Sequence, residues 1–441
     1  MKFVRPVPLM MAPLMLAPLI LAAQTAGTLN LFPANPAAEQ NDLNQVVREA
    51  NGSAVDLTRR LEDHLKKYPN SPRRAEIEAS LYKTAVESND TARIVTYGEK
   101  QLMGHPQNEL EILDHVIRAL LASDDEESAK KALAWSARYE AGIRDMRARA
   151  PEGHTTKAQW ADLADRAMAR QLVLKARAAG NLGDAQQGMT LAAQAWALDP
   201  DAENASEIAK WSAKLGKDAE AIEYYADAAM IEDTRAPWSK REFDRQRAGE
   251  LYAKLHGSQE GLGDLFLRAW DRDTKALKDR TGRYKAMDPN YGETDVYGFT
   301  LPGGGNNSAD AKSLDLSKLK GKTLVMDFWA TWCMPCIAQH PLIERVKEKY
   351  AGAADVVFLS LDADDDHSVV APFLAAQKWK QPVYLEAGLA GLLNTASLPT
   401  IVVIDGKGHV FSRMSGFDTD SFERILSTRI DEARAQAPKQ K

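Results

Sequence analysis

The chain has 441 residues and a net charge of −6, with 44% apolar and 27% charged residues. Length and composition predict two or three soluble domains, each with its own core. The slightly acidic balance lacks the basic patch with interleaved aromatic residues that nucleic-acid binding requires, so we expect no nucleic-acid partner. The mean hydropathy of −0.40 argues against a multi-span membrane protein.

The first segment, residues 1–27, has the layout of a secretory signal peptide. Lys2 and Arg5 precede an apolar run, residues 7–23, and small residues follow. The alternative is an uncleaved membrane anchor, which the run disfavours because it has only about 17 residues and contains three prolines. We therefore expect a cleaved signal and a periplasmic or otherwise extracytoplasmic protein.

A helical domain is predicted over residues 42–286, after a polar linker at residues 28–41. Alanine and leucine recur at helical spacing throughout this region. The sequence Leu-Gly-Asp-Ala at 182–185 has a near-repeat at 215–218, a shift of 33 residues. Residues 197–200 resemble the close of a tetratricopeptide unit, so the prediction is an all-α, tetratricopeptide-like repeat domain.

Stacked repeats of this period present a concave surface that suits a protein or peptide ligand. The alternative is a scaffold or dimerisation element, and both interpretations remain open. Because stacked helices bury aromatic side chains, we expect the tryptophans to pack within or between repeats rather than to form a ligand box. These residues are Trp135, Trp160, Trp196, Trp211 and Trp238.

The chemistry of the chain is predicted in residues 323–350, whose pattern indicates a strand, a tight turn and a helix. The turn carries Cys333 and Cys336 with two residues between them. A sulfur at the first turn of a helix lies beside free backbone N–H groups and the positive end of the helix dipole, which lowers its pKa. Cys333 is the predicted nucleophile, and Cys336 is the predicted resolving thiol that releases a mixed disulfide.

A zinc site is the competing interpretation of this cysteine pair. The chain has two cysteines in all, so sites with four cysteines, or with three and a histidine, cannot form within one chain. A site with two cysteines, His340 and one further ligand stays open but is disfavoured. We expect no metal and no cofactor beyond a redox-active Cys333–Cys336 disulfide.

Residues 327–336 resemble the active-site segment of thioredoxin-fold proteins, and most closely that of the TlpA/ResA group of extracytoplasmic thiol–disulfide oxidoreductases. The resemblance extends upstream to 299–302 and 314–321 and downstream to 397–400, which is similar to the cis-proline turn of the family. It implies a thioredoxin-like domain over residues 293–432, followed by a polar tail at 433–441.

The elements after the active-site helix predict alternating β and α units, and hence a three-layer α/β sandwich. They are a strand at 355–362, a helix at 367–378, a short strand at 383–386, a helix at 389–396, a strand at 400–405, a further strand, and a last helix from Asp420. Asp362, Asp364 and Asp366 are interpreted as a helix N-cap with solvated carboxylates rather than a calcium loop, which would need a glycine at its sixth position.

Asp327 is the third predicted catalytic residue. It ends an apolar strand, where a carboxylate is costly to bury, and it matches the buried aspartate of thioredoxins. Burial would raise its pKa so that it can accept the proton of Cys336; the alternative is a strand-end residue without a role. Members of the ResA group often have a glutamate where this chain has Gln339, so proton handling shifts to Asp327, and a close match to the cytochrome-maturation members is in doubt.

The remaining site residues follow from the same resemblance. Trp332 would cover the disulfide and offer an apolar platform to a partner. Pro399, in cis, would expose the backbone of Leu398 for strand-like pairing with a substrate. Met334 and Pro335 form the active-site turn, whose composition influences the reduction potential.

The function implied is an exported oxidoreductase that reduces the disulfides of extracytoplasmic client proteins through Cys333 and Cys336. Such a reductase needs electrons, so a membrane thiol donor is the expected second partner. The alternative is a non-enzymatic adaptor that binds a partner through its repeats and keeps the thioredoxin fold as a docking surface. Peroxide reduction is a weaker alternative, because its reactive cysteine usually occurs in a different motif.

Overall fold

The computed structural model describes residues 36–104, 106–123, 125–149, 155–231, 238–304 and 313–436. The predicted signal peptide lies outside the described residues, as does most of the predicted tail. The predicted linker at residues 28–41 overlaps a helix that begins at Pro36. The last helix extends to Ala435, beyond the predicted domain end at residue 432.

Twelve helices fill the described residues before 286. They are α1 (Pro36–Ala50), α2 (Ala54–Lys67), α3 (Arg74–Glu87), α4 (Thr91–Met103), α5 (Glu109–Leu120), α6 (Glu126–Ala148), α7 (Lys157–Asn181), α8 (Ala185–Leu198), α9 (Ala202–Lys214), α10 (Asp218–Met230), α11 (Trp238–His256) and α12 (Leu262–Lys285). The chain divides into two compact units between Ile77 and Glu78, inside α3. The second unit contains the helices from α4 onward and the α/β region.

The near-repeats of the sequence form the same turn in the structure. Leu182 is the C-cap of α7, and Gly183 follows with φ +96°. Asp184 then caps α8 by accepting a hydrogen bond from the Gln187 N–H. Leu215 and Gly216, with φ +74°, form the corresponding turn between α9 and α10. A left-handed backbone at each glycine explains why glycine recurs there. The all-helical prediction is confirmed, whereas assignment to tetratricopeptide repeats stays a prediction.

Helix length varies more than a uniform repeat allows. A tetratricopeptide unit places two helices in 34 residues, and α8, α9 and α10 have 14, 13 and 13 residues, which fits. In contrast, α6, α7 and α12 have 23, 25 and 24 residues. The long helices interrupt the period, which explains why the sequence shows only partial repeats.

Close packing in the helical region centres on Trp211. Its ring is buried against Gly180 of α7, where an added Cβ would overlap the ring. Trp196 packs edge-on against Tyr224. The prediction that all five tryptophans pack internally is wrong for Trp238, which is 69% exposed at the start of α11.

The α/β region follows in the predicted order. Its strands are β1 (Thr300–Leu301), β2 (Leu314–Asp315), β3 (Thr323–Trp329), β4 (Val356–Asp362), β5 (Val383–Leu385), β6 (Thr400–Ile404) and β7 (Val410–Ser415), and its α-helices are α13 (Met334–Lys349), α14 (Val370–Gln377), α15 (Leu389–Leu392) and α16 (Phe422–Ala435). β1 and β2 form a small antiparallel pair.

The main sheet has the order β5-β4-β3-β6-β7. Strands β3, β4 and β5 are parallel to one another, β6 is antiparallel to β3, and β7 is antiparallel to β6. All seven residues of β3 are buried because the sheet is covered on both faces. Val325 packs on the side of α13 and α16, whereas Met326 faces the core formed with α15. This arrangement confirms the predicted three-layer, thioredoxin-like fold and places the end of β3 directly before the cysteine turn.

The connection after α12 is ordered rather than a free linker. Asn290, which is buried, accepts a hydrogen bond from the Thr300 N–H at 2.7 Å and donates to the carbonyls of Thr300 and Ala387. In the parts of the chain that the structure describes, none of the helices combines the length and apolar character that a membrane crossing needs.

Candidate active site

The two cysteines lie at the first turn of α13 and are joined by a disulfide, with their Cα atoms 5.2 Å apart. Cys333 is the N-cap of the helix, and its sulfur accepts a hydrogen bond from the Cys336 N–H at 3.2 Å. Pro335 occupies the first turn, where a missing N–H costs no helical hydrogen bond. In the reduced protein the same N–H and the helix dipole would stabilise a thiolate at Cys333.

The two cysteines are equally buried, and each is 3% exposed. They belong to an apolar cluster with Trp329 and Val370, and the partly buried Leu398 packs against this cluster. The flanking Trp332 and Met334 are instead 68% and 70% exposed. These two side chains form an exposed apolar rim beside the buried disulfide, and the role of Trp332 as a platform for a partner stays a prediction.

Asp327 is buried on β3, on the same face of the sheet as Val325 and Trp329. Its Oδ1 has no hydrogen-bond partner among the described residues. Burial raises the pKa of Asp327 to about 7, and the negative charge of Glu344 adds to the rise. Desolvation disfavours the charged carboxylate, so this side chain can take up a proton near neutral pH. The expected burial and the direction of the pKa shift are both present.

Asp327 lines a small cavity of about 200 Å³ together with His340 and Glu344 of α13. The imidazole of His340 stacks on Trp379 with ring centroids 3.7 Å apart, and burial lowers its pKa. Gln339, one turn after Cys336, is fully buried, and its side-chain amide makes no hydrogen bond within the described residues. The position that often carries glutamate in the ResA group therefore holds a neutral group, and Asp327 stays the predicted proton acceptor.

A carboxylate that the sequence reasoning missed supports the turn from its other side. Asp364, after β4, accepts hydrogen bonds from the Thr331 N–H at 2.7 Å and the Thr331 hydroxyl at 2.9 Å. Thr331 comes two residues before Cys333, so Asp364 fixes the backbone that leads into the active site. The signal available in the sequence was the aspartate run directly after a buried strand that ends at the same sheet edge as β3.

The prediction of solvated carboxylates in this run is wrong for two of the three residues. Asp362 is completely buried and Asp364 is 5% exposed, while Asp366 caps the following turn as expected. Asp362 is the last residue of β4 and pairs with Trp329, the last residue of β3, in the parallel ladder. Burial raises the pKa of Asp362 to about 7 against the opposing effect of His367, whose Nδ1 lies 3.5 Å away.

The predicted substrate-binding residues lie beside the disulfide. The Leu398–Pro399 peptide bond is cis, as the resemblance implies. The side chain of Leu398 packs against the cluster that contains both cysteines. The Pro399 carbonyl accepts a hydrogen bond from the Gly416 N–H at 2.9 Å, which ties this turn to the end of β7. The structure thus brings Trp332, Leu398 and Pro399 to the rim of one site; their roles stay predictions.

The sheet order, the cysteine pair at the first turn of α13 and the cis-proline turn beside it together define a thioredoxin-like domain with a dithiol–disulfide site. Comparison with known proteins agrees. Residues 298–429 match the sequence model of the Redoxin family, and this segment contains both cysteines, Asp327 and Pro399.

The curated relatives include ResA thiol–disulfide oxidoreductases. The protein from Bacillus cereus is 33% identical over 112 residues, covering 25% of this chain and 64% of the relative. ResA of Bacillus subtilis is 28% identical over 114 residues, covering 25% and 63%. This chain therefore spans less than two thirds of the length of these relatives. Among solved structures, the exposed lipoprotein thioredoxin Etrx1 of Streptococcus pneumoniae is 26% identical, with 30% of this chain and 98% of that chain covered and a TM-score of 0.26.

Proposed function

We propose that this protein is a thiol–disulfide oxidoreductase that reduces disulfides of client proteins. The observation that carries the proposal is the Cys333–Cys336 pair at the N-terminus of α13, with a buried, unpaired Asp327 on the strand behind it. These groups are the ones that an exchange cycle needs: an activated sulfur, a second sulfur, and a group that can hold a proton. The similarity to ResA proteins supports the same chemistry.

The cycle begins with the dithiol. The Cys333 thiolate attacks one sulfur of the client disulfide, so a new S–S bond forms and the other client sulfur leaves as a thiolate that takes up a proton. Cys336 then loses its proton to Asp327 and attacks Cys333. This step closes the Cys333–Cys336 disulfide and releases the second client sulfur as a thiolate, which takes up a proton from solvent as Asp327 returns its own proton to solvent. The client gains two electrons and two protons, and the protein needs an external thiol donor to return to its reduced form.

Single-cysteine variants test the proposal directly. Incubated with a disulfide-bonded client such as insulin, Cys336→Ser should accumulate a mixed disulfide through Cys333, because the second step is blocked. Cys333→Ser should form none, because Cys336 lacks the N-cap position at which a backbone N–H and the helix dipole stabilise a thiolate. Turnover with a regenerating thiol should fall to background in both variants. If neither variant traps a client and wild type has no activity, the adaptor interpretation replaces the enzyme.

The direction of electron flow has its own test. A reductase should have a reduction potential near that of thioredoxin, about −270 mV, whereas an oxidant approaches about −120 mV. Equilibration with glutathione or a thioredoxin couple, followed by alkylation of free thiols, measures this quantity. A value near that of the oxidants would overturn the assignment as a reductase.

We infer export from the layout of residues 1–27, and a membrane thiol donor from the electron requirement. Protein recovered from the extracytoplasmic fraction should begin after Ala23, at a residue no later than about Gly27. In cells, alkylation should find Cys333 reduced, and loss of the donor should shift it to the disulfide. Recovery from the cytoplasm with residues 1–27 intact would contradict export.

A further inference from the structure

Helix α12 carries an apolar stripe on its exposed side. Leu265 and Ala269 are buried against α10, which fixes the inner face of the helix. On the outer side, Leu267 is 65% exposed, Trp270 is 42% exposed and Leu277 is 36% exposed. With Thr274 between them, these residues are spaced three and four apart, so they share one face of the helix. In a helical array, an exposed outer face is normally polar.

Charged residues along one edge of this stripe change sign halfway. Asp264, Asp271, Lys278 and Lys285 are seven residues apart and therefore follow one line along α12. The first two are acidic and the last two basic. Lys285 also contacts Glu293 at 2.7 Å, so the central pair of Asp271 and Lys278 is the more available one.

The apolar stripe and the line of charges are self-complementary when two copies of α12 pack antiparallel. If a second α12 lies antiparallel across the stripe, Asp271 of each copy faces Lys278 of the other. A two-fold axis beside Thr274 sets this residue against the partner's Thr274. It brings Asp271 and Lys278, and likewise Trp270 and Leu277, to within one residue, about 1.5 Å along the helix, of exact opposition. A parallel arrangement would place like charges together. We propose that α12 is the interface of a homodimer whose two-fold axis passes beside Thr274.

The area of the α12 surface determines how tightly the proposed dimer is expected to associate. Twenty-four residues of helix are about 36 Å long, whereas stable interfaces bury about 800 Å² on each partner. A single helix face supplies only part of such an area. The dimer should therefore dissociate on dilution through the micromolar range, with the apolar stripe as its core and the charge pairs fixing its direction.

Sedimentation of the full chain at increasing concentration tests the interface. Wild type should pass from monomer to dimer, and Trp270→Glu should stay monomeric because the variant buries a charge at the centre of the contact. Trp238→Glu is the matched control: it changes an exposed tryptophan on α11 and should dimerise as wild type does. A monomer at every concentration, or a dimer that persists in Trp270→Glu, would overturn the proposal.

Charge reversal tests the antiparallel register. Asp271→Lys and Lys278→Asp each place like charges opposite one another at two symmetric positions, which should weaken the dimer by about tenfold. The double variant restores both pairs with opposite polarity and should recover most of the affinity. If the double variant is as weak as the singles or weaker, the register is wrong.

Crosslinking locates the axis without relying on a loss of affinity. In a Cys333→Ser/Cys336→Ser background, Thr274→Cys should form an intermolecular disulfide, since the two copies of this residue face each other across closely packed helices. Thr281→Cys, on the same stripe, lies about 10 Å further along the helix, so its two copies are about 20 Å apart and should not crosslink. Equal crosslinking at both positions would indicate random collision and contradict the proposed axis.

Discussion

Glu203 in the helical region and Asp327 in the α/β region are two carboxyl groups whose surroundings shift the pKa in opposite directions. In the helical region, Glu203 lies 2.7 Å from Arg118 and 3.2 Å from Arg177. Burial alone would raise its pKa, but the two guanidinium groups lower it to about 2. In the α/β region, Asp327 forms no ion pair within the described residues, and burial raises its pKa to about 7. The first arrangement holds helices together, whereas the second keeps a group that changes protonation near neutral pH.

Burial without a partner does not by itself identify a catalytic group. Asp273 of α12 is also buried with neither oxygen hydrogen-bonded within the described residues, and burial raises its pKa to about 8 with a further contribution from Asp227. No cysteine occurs on any helix before α13. What distinguishes Asp327 is its place on the strand that leads into the cysteine turn, so location and pKa together define the candidate base.

The largest stability effect is expected from Asp327→Asn in the oxidised protein. The pKa of Asp327 rises from 3.8 to about 7 on folding, so the folded state holds its proton more tightly than the unfolded state does. For this group, stability is greatest below pH 3.8, falls as pH rises through this window, and is lowest above pH 7. The variant should gain about 4 kcal/mol at pH 8 and almost nothing at pH 4.

Denaturant unfolding of wild type and variant at both pH values measures this difference. Asp366→Asn is the control, since this carboxylate is exposed and caps a turn; it should give no gain at pH 8. An equal gain from Asp327→Asn at both pH values would mean that the effect comes from packing rather than from ionisation.

Asp364→Ala tests what decides whether removal of a buried carboxyl raises or lowers stability: the region of the fold or the presence of a hydrogen-bond partner. Asp364 lies in the α/β region but is hydrogen-bonded to Thr331. Its removal leaves the Thr331 N–H without its partner and should lower stability by about 2 kcal/mol. It should also shift the reduction potential, because the turn before Cys333 loses its support. Asp364→Asn, which keeps an acceptor, should recover most of the stability; a stabilised Asp364→Ala protein would contradict the distinction between paired and unpaired carboxyls.

Glu203→Gln gives the smallest expected effect, with a sign opposite to that of Asp327→Asn. The substitution keeps an acceptor for Arg118 and Arg177 but removes the charge. The Glu203 side chain is 33% exposed, so solvent screening reduces the loss to about 1 kcal/mol. The lowered pKa predicts that the loss is present at pH 7 and disappears as pH falls through about 2. Thermal unfolding at pH 7 and at about pH 2 would measure this loss of stability, with Glu250→Gln on α11 as the control.

The α/β elements could be predicted from the sequence because strand and helix periods alternate there and a long motif fixes the active-site turn. Even the short strand β5 and the cis-proline turn were anticipated. In the helical region, the class of structure was predictable but the individual helices were not. Their lengths depend on packing between distant segments, such as Trp211 against Gly180, which no local pattern encodes.

Within the candidate site, the position of the cysteine pair at the start of a helix could be predicted from spacing and resemblance. The burial of Asp362 and Asp364 could not, because an aspartate run is locally indistinguishable from a solvated cap. Only the strand register pairs Asp362 with Trp329, and only the fold brings Asp364 to Thr331. The same limit applies to the burial of Cys333, whose apolar cluster includes Val370 and Leu374, far from it in the sequence.

The central claim is that Asp327 accepts the proton of Cys336 when the mixed disulfide resolves, and stopped-flow kinetics with a disulfide client tests it most directly. Asp327→Asn should leave the attack by Cys333 nearly unchanged and slow the resolution step about 100-fold near neutral pH. Asp273→Asn, which removes an equally buried carboxyl from the helical region, should alter neither step. Equal slowing of both steps, or of neither, in Asp327→Asn would contradict the claim and leave Asp327 as a structural residue.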